Sequence, residues 1–151
     1  MRIIPITKGK VVMVDDEDYD MLMQWHWCAS GTGHKYAARK SKHRVIYMHR
    51  LITNAPKGMV VDHIDHNTLN NTRANLRVCT SSQNNMHRKP MYGHDLKGVY
   101  YLKHINKYEA KISKDGHNEN LGYFATAETA AQAYDKRALE LHGEFALLNY
   151  P

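Results

Sequence analysis

Apolar and polar residues alternate in part along the first third of the chain. Over residues 1–14 the apolar positions lie on both sides of a Lys-Gly-Lys turn, which predicts a β-hairpin. The acidic residues 15–20 then begin a helix that runs to about Trp25, with the carboxylates at the end that the helix dipole favours. A second hairpin is predicted over residues 26–39, around the turn Gly31-Thr32-Gly33.

The central part of the chain predicts a strand, a loop, a strand and a helix in succession. Residues 45–52 pass from a strand into a short helix, and residues 60–63 form the next short apolar run. An asparagine-rich loop follows, and residues 76–79 read as its partner strand. A Thr-Ser pair can cap the helix that carries Asn84. We therefore expect a carboxylate, an imidazole and an amide to converge at this hairpin.

A second unit is predicted to begin at Lys97, after a linker over residues 90–96. Its apolar positions indicate three strands followed by one helix, which Thr126 caps and Gly143 ends. The predicted strands cover residues 98–102, 107–113 and 118–124.

Length and periodicity together favour an α+β protein with two small domains. A chain of 151 residues suits one medium domain or two small ones. The first predicted domain, residues 1–89, combines β-hairpins with a strand-strand-helix motif at about residues 59–88. The second, residues 97–151, is predicted to be a three-stranded antiparallel sheet packed on one helix.

Charge and composition indicate the class of partner and the cellular compartment. The formal net charge of +6 favours a polyanionic partner. Cys28 and Cys79 form neither a CxxC pair nor a disulfide framework, which indicates a reduced, cytoplasmic compartment. No signal peptide or long apolar segment stands out, so we expect neither a membrane nor a secretory route.

The chemistry that suits the central hairpin is phosphodiester hydrolysis with one divalent metal. A neutral imidazole such as that of His63 can take a proton from water near physiological pH. Hard oxygen ligands such as aspartate carboxylates and asparagine carbonyls hold magnesium or manganese and leave coordination sites for phosphate and water. Taken singly, His63 and Asn75 are more simply explained as turn residues. Their occurrence together at these spacings favours a site.

The spacing of these residues resembles a known nuclease motif. The run Val61-Asp62-His63-Ile64-Asp65, the pair Asn70-Asn71, and the runs Asn75-Leu76-Arg77 and Gln83-Asn84 are similar to those of HNH endonucleases, in the subgroup of phage and intron-encoded homing enzymes.

This resemblance implies a role for each matching residue. His63 would be the general base, and Asp62 and Asn84 would be metal ligands. Asn75 would tie the loop so that His63 points at the attacking water. One departure is His66, which stands where the family usually has the glycine that tolerates a positive backbone angle at little cost.

The second unit resembles the APETALA-type DNA-binding domain of plant ethylene-response factors and phage HNH endonucleases. The similarity rests on Lys97-Gly98-Val99 and on residues 121–124, 126–135 and 143–151. It implies a sheet that lies in the major groove with the helix behind it. Residues 97–116 carry five lysines against two carboxylates, whereas the remainder carries two cations against five carboxylates. A basic sheet backed by an acidic helix fits that orientation, although a merely solvated sheet is the alternative.

Several side chains outside the motif are candidates for supporting roles. His87 and His49 are auxiliary candidates near the site, although helix-end stabilisation and packing are the simpler explanations for them. Phosphate and base contacts are predicted for basic and polar side chains of both domains: Arg39, Lys40, Arg50, Arg88, Lys97, Tyr100, Lys103, Lys111, Ser113, Asn118 and Asn120.

The sequence thus predicts a metal-dependent DNA endonuclease. One site should nick one strand of double-stranded DNA, in a protein that is a monomer or weak dimer and serves a phage or mobile element as a homing enzyme. The competing prediction is a catalytically silent DNA-binding or regulatory protein. A nuclease directed at RNA is a third alternative.

Overall fold

The computed structural model describes residues 1–32, 35–42, 44–90 and 95–151. The chain divides into two compact units, Met1–Thr80 and Ser81–Pro151. The helix that carries Asn84 belongs to the second unit, whereas the predicted first domain ends at residue 89. The predicted domain boundaries stay a prediction. Residues 91–94 of the predicted linker lie outside the part of the chain that the structure describes.

The first unit contains seven strands in three small sheets and two α-helices among its described residues. β1 pairs with β2, β4 lies between β3 and β5, and β6 pairs with β7, all antiparallel. A turn of 3-10 helix, Arg73–Asn75, precedes β7. The elements are β1 Arg2–Ile6, β2 Lys10–Val14, α1 Asp16–Leu22, β3 Cys28–Ser30, β4 Tyr36–Ser41, β5 Arg44–Tyr47, α2 Met48–Thr53, β6 Val60–His63 and β7 Leu76–Cys79.

The central strand β4 is the main difference from the predicted second hairpin. β4 pairs with β3 as expected, but it also pairs with β5, so a three-stranded sheet forms where two strands were predicted. The predicted turn includes Gly33, which lies outside the described residues. α1 ends at Leu22, three residues before the predicted end near Trp25, and Met23 caps it through a hydrogen bond to the Tyr19 carbonyl.

The core of the first unit forms where the hairpin β1–β2 meets α1 and α2. Alternate residues of β2, Val12 and Val14, are fully buried, as are Leu22 of α1 and Met48 of α2. Trp27 packs into the same cluster and donates its indole N–H to the Leu22 carbonyl at 2.9 Å. A polar partner for the indole lets this large aromatic side chain be buried without an unsatisfied donor.

The acidic residues at the start of α1 hold the loop between β6 and β7. Arg73 in this loop pairs through Nη2 with the buried carboxylate of Asp18 at 2.7 Å, and its backbone N–H donates to Asp15 at 2.7 Å. Met13 of β2 adds two backbone hydrogen bonds, to Leu69 and Asn71. The loop is therefore fixed against the core at both of its sides.

The second unit begins with α3 and places a three-stranded antiparallel sheet against one long helix. The strand order is β10-β9-β8. Thr126 caps the long helix by accepting a hydrogen bond from the Thr129 backbone at 3.2 Å. A turn of 3-10 helix, Gly143–Phe145, follows it. The elements are α3 Ser81–His87, β8 Val99–Leu102, β9 Lys107–Lys114, β10 His117–Phe124 and α4 Ala127–His142.

Small residues allow α4 to lie close to the sheet. Ala130, Ala131 and Ala138 are fully buried against the inward side chains of β8 and β9, among them Ala110 and Ile112. Asp135 on the same helix accepts the backbone N–H groups of Asn149 and Tyr150, which holds the last described residues against the unit. None of the helices in residues 1–32, 35–42, 44–90 and 95–151 has the length and apolarity that a membrane crossing requires.

Gly98 lies where the backbone before β8 passes directly under an aromatic ring. Its φ of +72° is in the left-handed region, and a Cβ built there would be 2.1 Å from the Tyr134 ring and 2.6 Å from the Lys111 carbonyl oxygen. Gly116, at a φ of +82°, has no such neighbours within 4 Å. Of these two glycines, only Gly98 combines a backbone requirement with a steric one.

We expect Gly98→Ala to lower the free energy of unfolding of the second unit by at least about 2 kcal/mol, since overpacking adds to backbone strain. Gly116→Ala, the matched control, should cost only about 1 kcal/mol for the backbone strain. Chemical denaturation followed by circular dichroism measures both. Equal losses for the two variants would contradict the steric role of Gly98.

Candidate active site

His63 stands at the end of β6 and is only 4% exposed. Its Nε2 lies 3.4 Å from Oδ1 of Asn71, which is completely buried in the following loop. Because an amide oxygen can only accept, Nε2 carries the hydrogen in this contact and Nδ1 keeps its lone pair. The imidazole is thus arranged with one nitrogen held by the loop and the other available as a base.

Three further rings surround the His63 imidazole. The His49 ring lies edge-on at 5.2 Å between centroids, and Tyr36 lies at 6.2 Å. Tyr47 stacks on His49 at 5.5 Å and contacts Tyr36 at 5.9 Å. β4, β5 and α2 therefore supply a cluster of aromatic rings beside the end of β6.

This cluster removes water from both imidazoles. Burial lowers the pKa of His63 below its usual 6.5, although the Asn71 contact and the carboxylates of Asp65 and Asp62 act in the opposite direction. The pKa of His49 falls to about 3, because burial, the neighbouring His63 and Arg50 all disfavour a positive charge. Both rings are consequently neutral at physiological pH, which is the state a general base requires.

Asn75 closes the loop that follows His63. Its Oδ1 accepts the Asp65 backbone N–H at 2.9 Å, and its Nδ2 donates to Asp65 Oδ1 and to the Asn70 carbonyl, both at 2.8 Å. The Ile64 backbone N–H donates to the Asn75 carbonyl at 2.9 Å. His66, which stands where glycine is usual in the motif, adopts a φ of +60°. The loop thus forms with histidine in the left-handed conformation.

Asp62 is buried and paired with Arg77, a residue that the sequence did not single out. The two stand opposite each other in the β6–β7 register, and Arg77 donates from Nε and Nη2 to the same oxygen, Oδ2, at 2.9 and 2.7 Å. The side chains are 8% and 14% exposed. Two charge-assisted hydrogen bonds to one oxygen hold this carboxylate in a fixed position. The facing positions on the predicted hairpin were the signal that could have identified Arg77.

The remaining nuclease-site candidates occupy α2 and α3. His49 is in α2, within the ring cluster. Asn84, which is partly buried, and His87, which is buried, are both in α3. The donor chemistry of Asp62 and Asn84, a carboxylate and an amide oxygen, suits a hard divalent cation. No group of three His, Cys, Asp or Glu side chains that could hold a metal occurs in the described ranges.

Two cations predicted to bind phosphate contact backbone carbonyls within the protein, and their phosphate contacts stay a prediction. Arg50 donates to the carbonyl oxygens of Met59, Ala55 and Pro56 at 2.7, 3.0 and 3.1 Å, and so supports the turn before β6. In the second unit, Nζ of Lys97 donates to the carbonyls of Met86 and, at 2.7 Å, Arg88. These carbonyls lie at the end of α3, where a cation is favourable.

Several of the other residues predicted to contact DNA also contact side chains of the protein itself. Arg39 lies over the Trp25 ring, 4.4 Å from its centroid. Ser113 and Asn118 bond to each other across β9 and β10. Lys111 and Asn120 lie on the same sheet, where each contacts Glu109. Seven of the candidates are exposed: Lys40, Arg88, Tyr100, Lys103, Ser113, Asn118 and Asn120.

Comparisons with known proteins agree on one family. The sequence model of the HNH endonuclease family matches residues 40–86. An HNH endonuclease of Acanthamoeba polyphaga mimivirus is 34% identical over 145 residues, which span 94% of this chain and 76% of that protein. Protein 3.8 of Escherichia phage T7 is 33% identical over 93 residues, which span 60% of this chain and 76% of that protein.

The chain belongs to the HNH endonuclease family. It is a nuclease whose matched segment contains the buried histidine, the closed loop and the Asp62–Arg77 pair. The similarity to the mimivirus protein also extends well beyond this segment, because it covers nearly the whole chain.

We expect the metal-free protein to lose stability as the pH falls from 6.5 toward 3. Over that range the unfolded chain protonates His49 while the folded chain does not, because the pKa of His49 is about 3 in the fold and 6.5 outside it. The slope should reach about 1.4 kcal/mol per pH unit for one proton. His49→Phe should flatten the dependence of the melting temperature on pH, whereas His26→Gln, at an exposed histidine, should not. Parallel curves for all three proteins would contradict this assignment.

Arg77→Met should destabilise the first unit by about 3 to 5 kcal/mol, because it leaves a buried carboxylate without its cation. Adding Asp62→Asn should recover part of that loss, since the amide carries no charge to compensate. Arg44→Met, which removes an exposed arginine from β5, is the matched control and should stay within about 0.5 kcal/mol of the native protein. Additive losses in the Arg77 and Asp62 variants, measured by denaturant unfolding, would rule out the coupling.

Proposed function

We propose that this protein is a metal-dependent DNA endonuclease that nicks one strand of double-stranded DNA. The observation that carries the proposal is the buried His63, whose pKa is lowered and which Asn71 and a ring cluster hold directly after the Arg77-bonded Asp62. A base kept neutral beside a paired carboxylate is an arrangement suited to activating water. The family membership supplies the reaction class, phosphodiester hydrolysis.

In this proposal each residue of the site has a separate task. His63 accepts a proton from water at Nδ1, and Asn75 keeps the loop closed so that the ring stays oriented. Arg77 holds the Asp62 carboxylate in one position. Asp62 and Asn84 would hold one divalent ion, magnesium or manganese. Such an ion, when bound, supplies electrostatic stabilisation of the charge that develops on phosphate and leaving oxygen.

The second unit supplies affinity for DNA in this proposal, as an ethylene-response-factor-like domain. Its sheet presents Tyr100 and Lys111 on the side away from α4, and Lys103 is exposed beside them. Lysines outnumber carboxylates in residues 97–116, which favours contact with phosphates. We propose that the protein acts as a monomer or weak dimer in the host cytoplasm, and that it serves a phage or mobile element in homing.

A supercoiled-plasmid assay tests the proposed nuclease. The native protein should nick the plasmid with magnesium or manganese and should be inactive in EDTA. His63→Ala should lose about 100-fold to 10,000-fold in nicking rate, the range that a general base contributes, and should still bind the plasmid. His26→Ala, at an exposed histidine of the same unit, is the matched control and should remain active. Circular dichroism verifies that both variants are folded.

The outcomes of the plasmid assay distinguish the alternatives. An active His63→Ala would refute the base assignment. Binding without cleavage by the native protein, with either metal, would favour a silent DNA-binding or regulatory protein. Faster cleavage of structured RNA than of DNA in the same buffer would favour an RNA-directed enzyme.

A further inference from the structure

The sheet of the second unit has one face covered by α4 and one face open. Val99 and Ala110 point to the helix and are buried. Tyr100, Glu109 and Tyr123 are cross-strand neighbours in register on the opposite face. Tyr100 is 41% exposed and Tyr123 is 53% exposed, so the open face presents two aromatic side chains with a carboxylate between them.

Asn120 on this face has its amide fully engaged within the protein. Its Oδ1 accepts the Gly122 backbone N–H at 2.8 Å, which identifies the oxygen and turns Nδ2 toward the neighbouring strand. Nδ2 then donates to Glu109 Oε1 at 2.7 Å and lies 3.2 Å from the Tyr123 hydroxyl. An asparagine in this state lacks the free amide edge that a paired contact with adenine needs.

Glu109 is thereby fixed with one oxygen bonded and the other still able to accept. Asn120 holds Oε1, whereas within the described part of the chain the cation near Oε2 is Lys111 Nζ, at 3.7 Å, which is too long for a hydrogen bond. The side chain is 14% exposed. A carboxylate in a lysine-rich sheet repels phosphates, so its presence on this face weakens general attraction to DNA unless a donor meets it.

The major groove offers such donors on only two of the four bases. Cytosine presents the N4 amino group and adenine the N6 amino group, whereas thymine and guanine present acceptor oxygens at the corresponding positions. A fixed carboxylate acceptor would bind the first two and repel the others. Lysine, by contrast, cannot accept a hydrogen bond.

We propose that Glu109 is a specificity-determining residue, which selects a base with an exocyclic amino group, cytosine or adenine, in the major groove. Asn120 is its positioning residue, because it fixes the carboxylate, and Tyr100 and Tyr123 flank the selected base. This inference rests on the proposed binding of DNA by the second unit.

The test selects bound sequences from a randomised duplex library with the full chain in EDTA, so that binding is measured without cleavage. For the native protein we expect one position to favour cytosine or adenine over thymine or guanine about 10-fold, the size of one good base contact. In Glu109→Gln this preference should fall below about 3-fold, because an amide can present either a donor or an acceptor. Fixed duplexes with C→T or A→G changes at that position identify which base is selected.

Glu128→Gln in the first turn of α4 is the matched control, because it removes the same charge from an exposed glutamate. Both variants should bind non-specific DNA somewhat more tightly, but only Glu109→Gln should lose the preference. Asn120→Ala should weaken the preference, because it removes the hydrogen bond that fixes the Glu109 carboxylate.

Two results would overturn this inference. If Glu109→Gln keeps the native preference, or the native protein shows none while it binds DNA, Glu109 does not select a base. In either case the proposed DNA binding stands. Absence of DNA binding by the native protein would refute both the inference and the proposed role of the second unit.

Discussion

The hydrogen bonds of the Asn75 amide are the constraint on which the nuclease site depends. They join Asp65, Asn70 and Asn75 into one closed loop, and the backbone bond from Ile64 fixes where β6 ends. His63 is the last residue of that strand. Asn71 of the same loop contacts the Nε2 of its imidazole.

The loop in turn depends on the rest of the first unit. Met13 of β2 bonds to it from one side and Arg73 joins it to the acidic end of α1 on the other. The carboxylates of Asp15 and Asp18 thus have a structural function. They anchor the segment that orients the histidine, and the core around Val12, Val14 and Leu22 gives this anchor its rigidity.

Much of the local structure could be predicted from the sequence, because periodicity and turn chemistry act over short distances. The residues of β6, β7 and the helices were anticipated within a few positions. The pairing of β5 with β4 was not, because it depends on which strands meet in space. Arg50 and Lys97 illustrate the same limit: a long cationic side chain suits phosphate and backbone carbonyls equally well, and only the fold shows which carbonyls lie within its reach.

The pairing of Asp62 with Arg77 was hidden for a related reason. The motif identified Asp62 by its neighbour His63, but the partner lies fifteen residues later and becomes adjacent only when the hairpin closes. The ring cluster was equally inaccessible, since Tyr36, Tyr47 and His49 come from three different elements. The motif residues can be recognised by their spacing in the sequence, whereas the residues that hold them in place have no such characteristic spacing.

Lys97, whose amine contacts the carbonyls at the end of α3, has an unusually low pKa. Burial and the nearby Arg88 lower the pKa of Lys97 to about 8, although its amine bonds to the carbonyls of Met86 and Arg88. In mildly alkaline buffers a substantial fraction of molecules therefore carries an uncharged, nucleophilic amine at this helix terminus. Acylating reagents used at such pH would meet a larger fraction of unprotonated amine here than at an ordinary surface lysine.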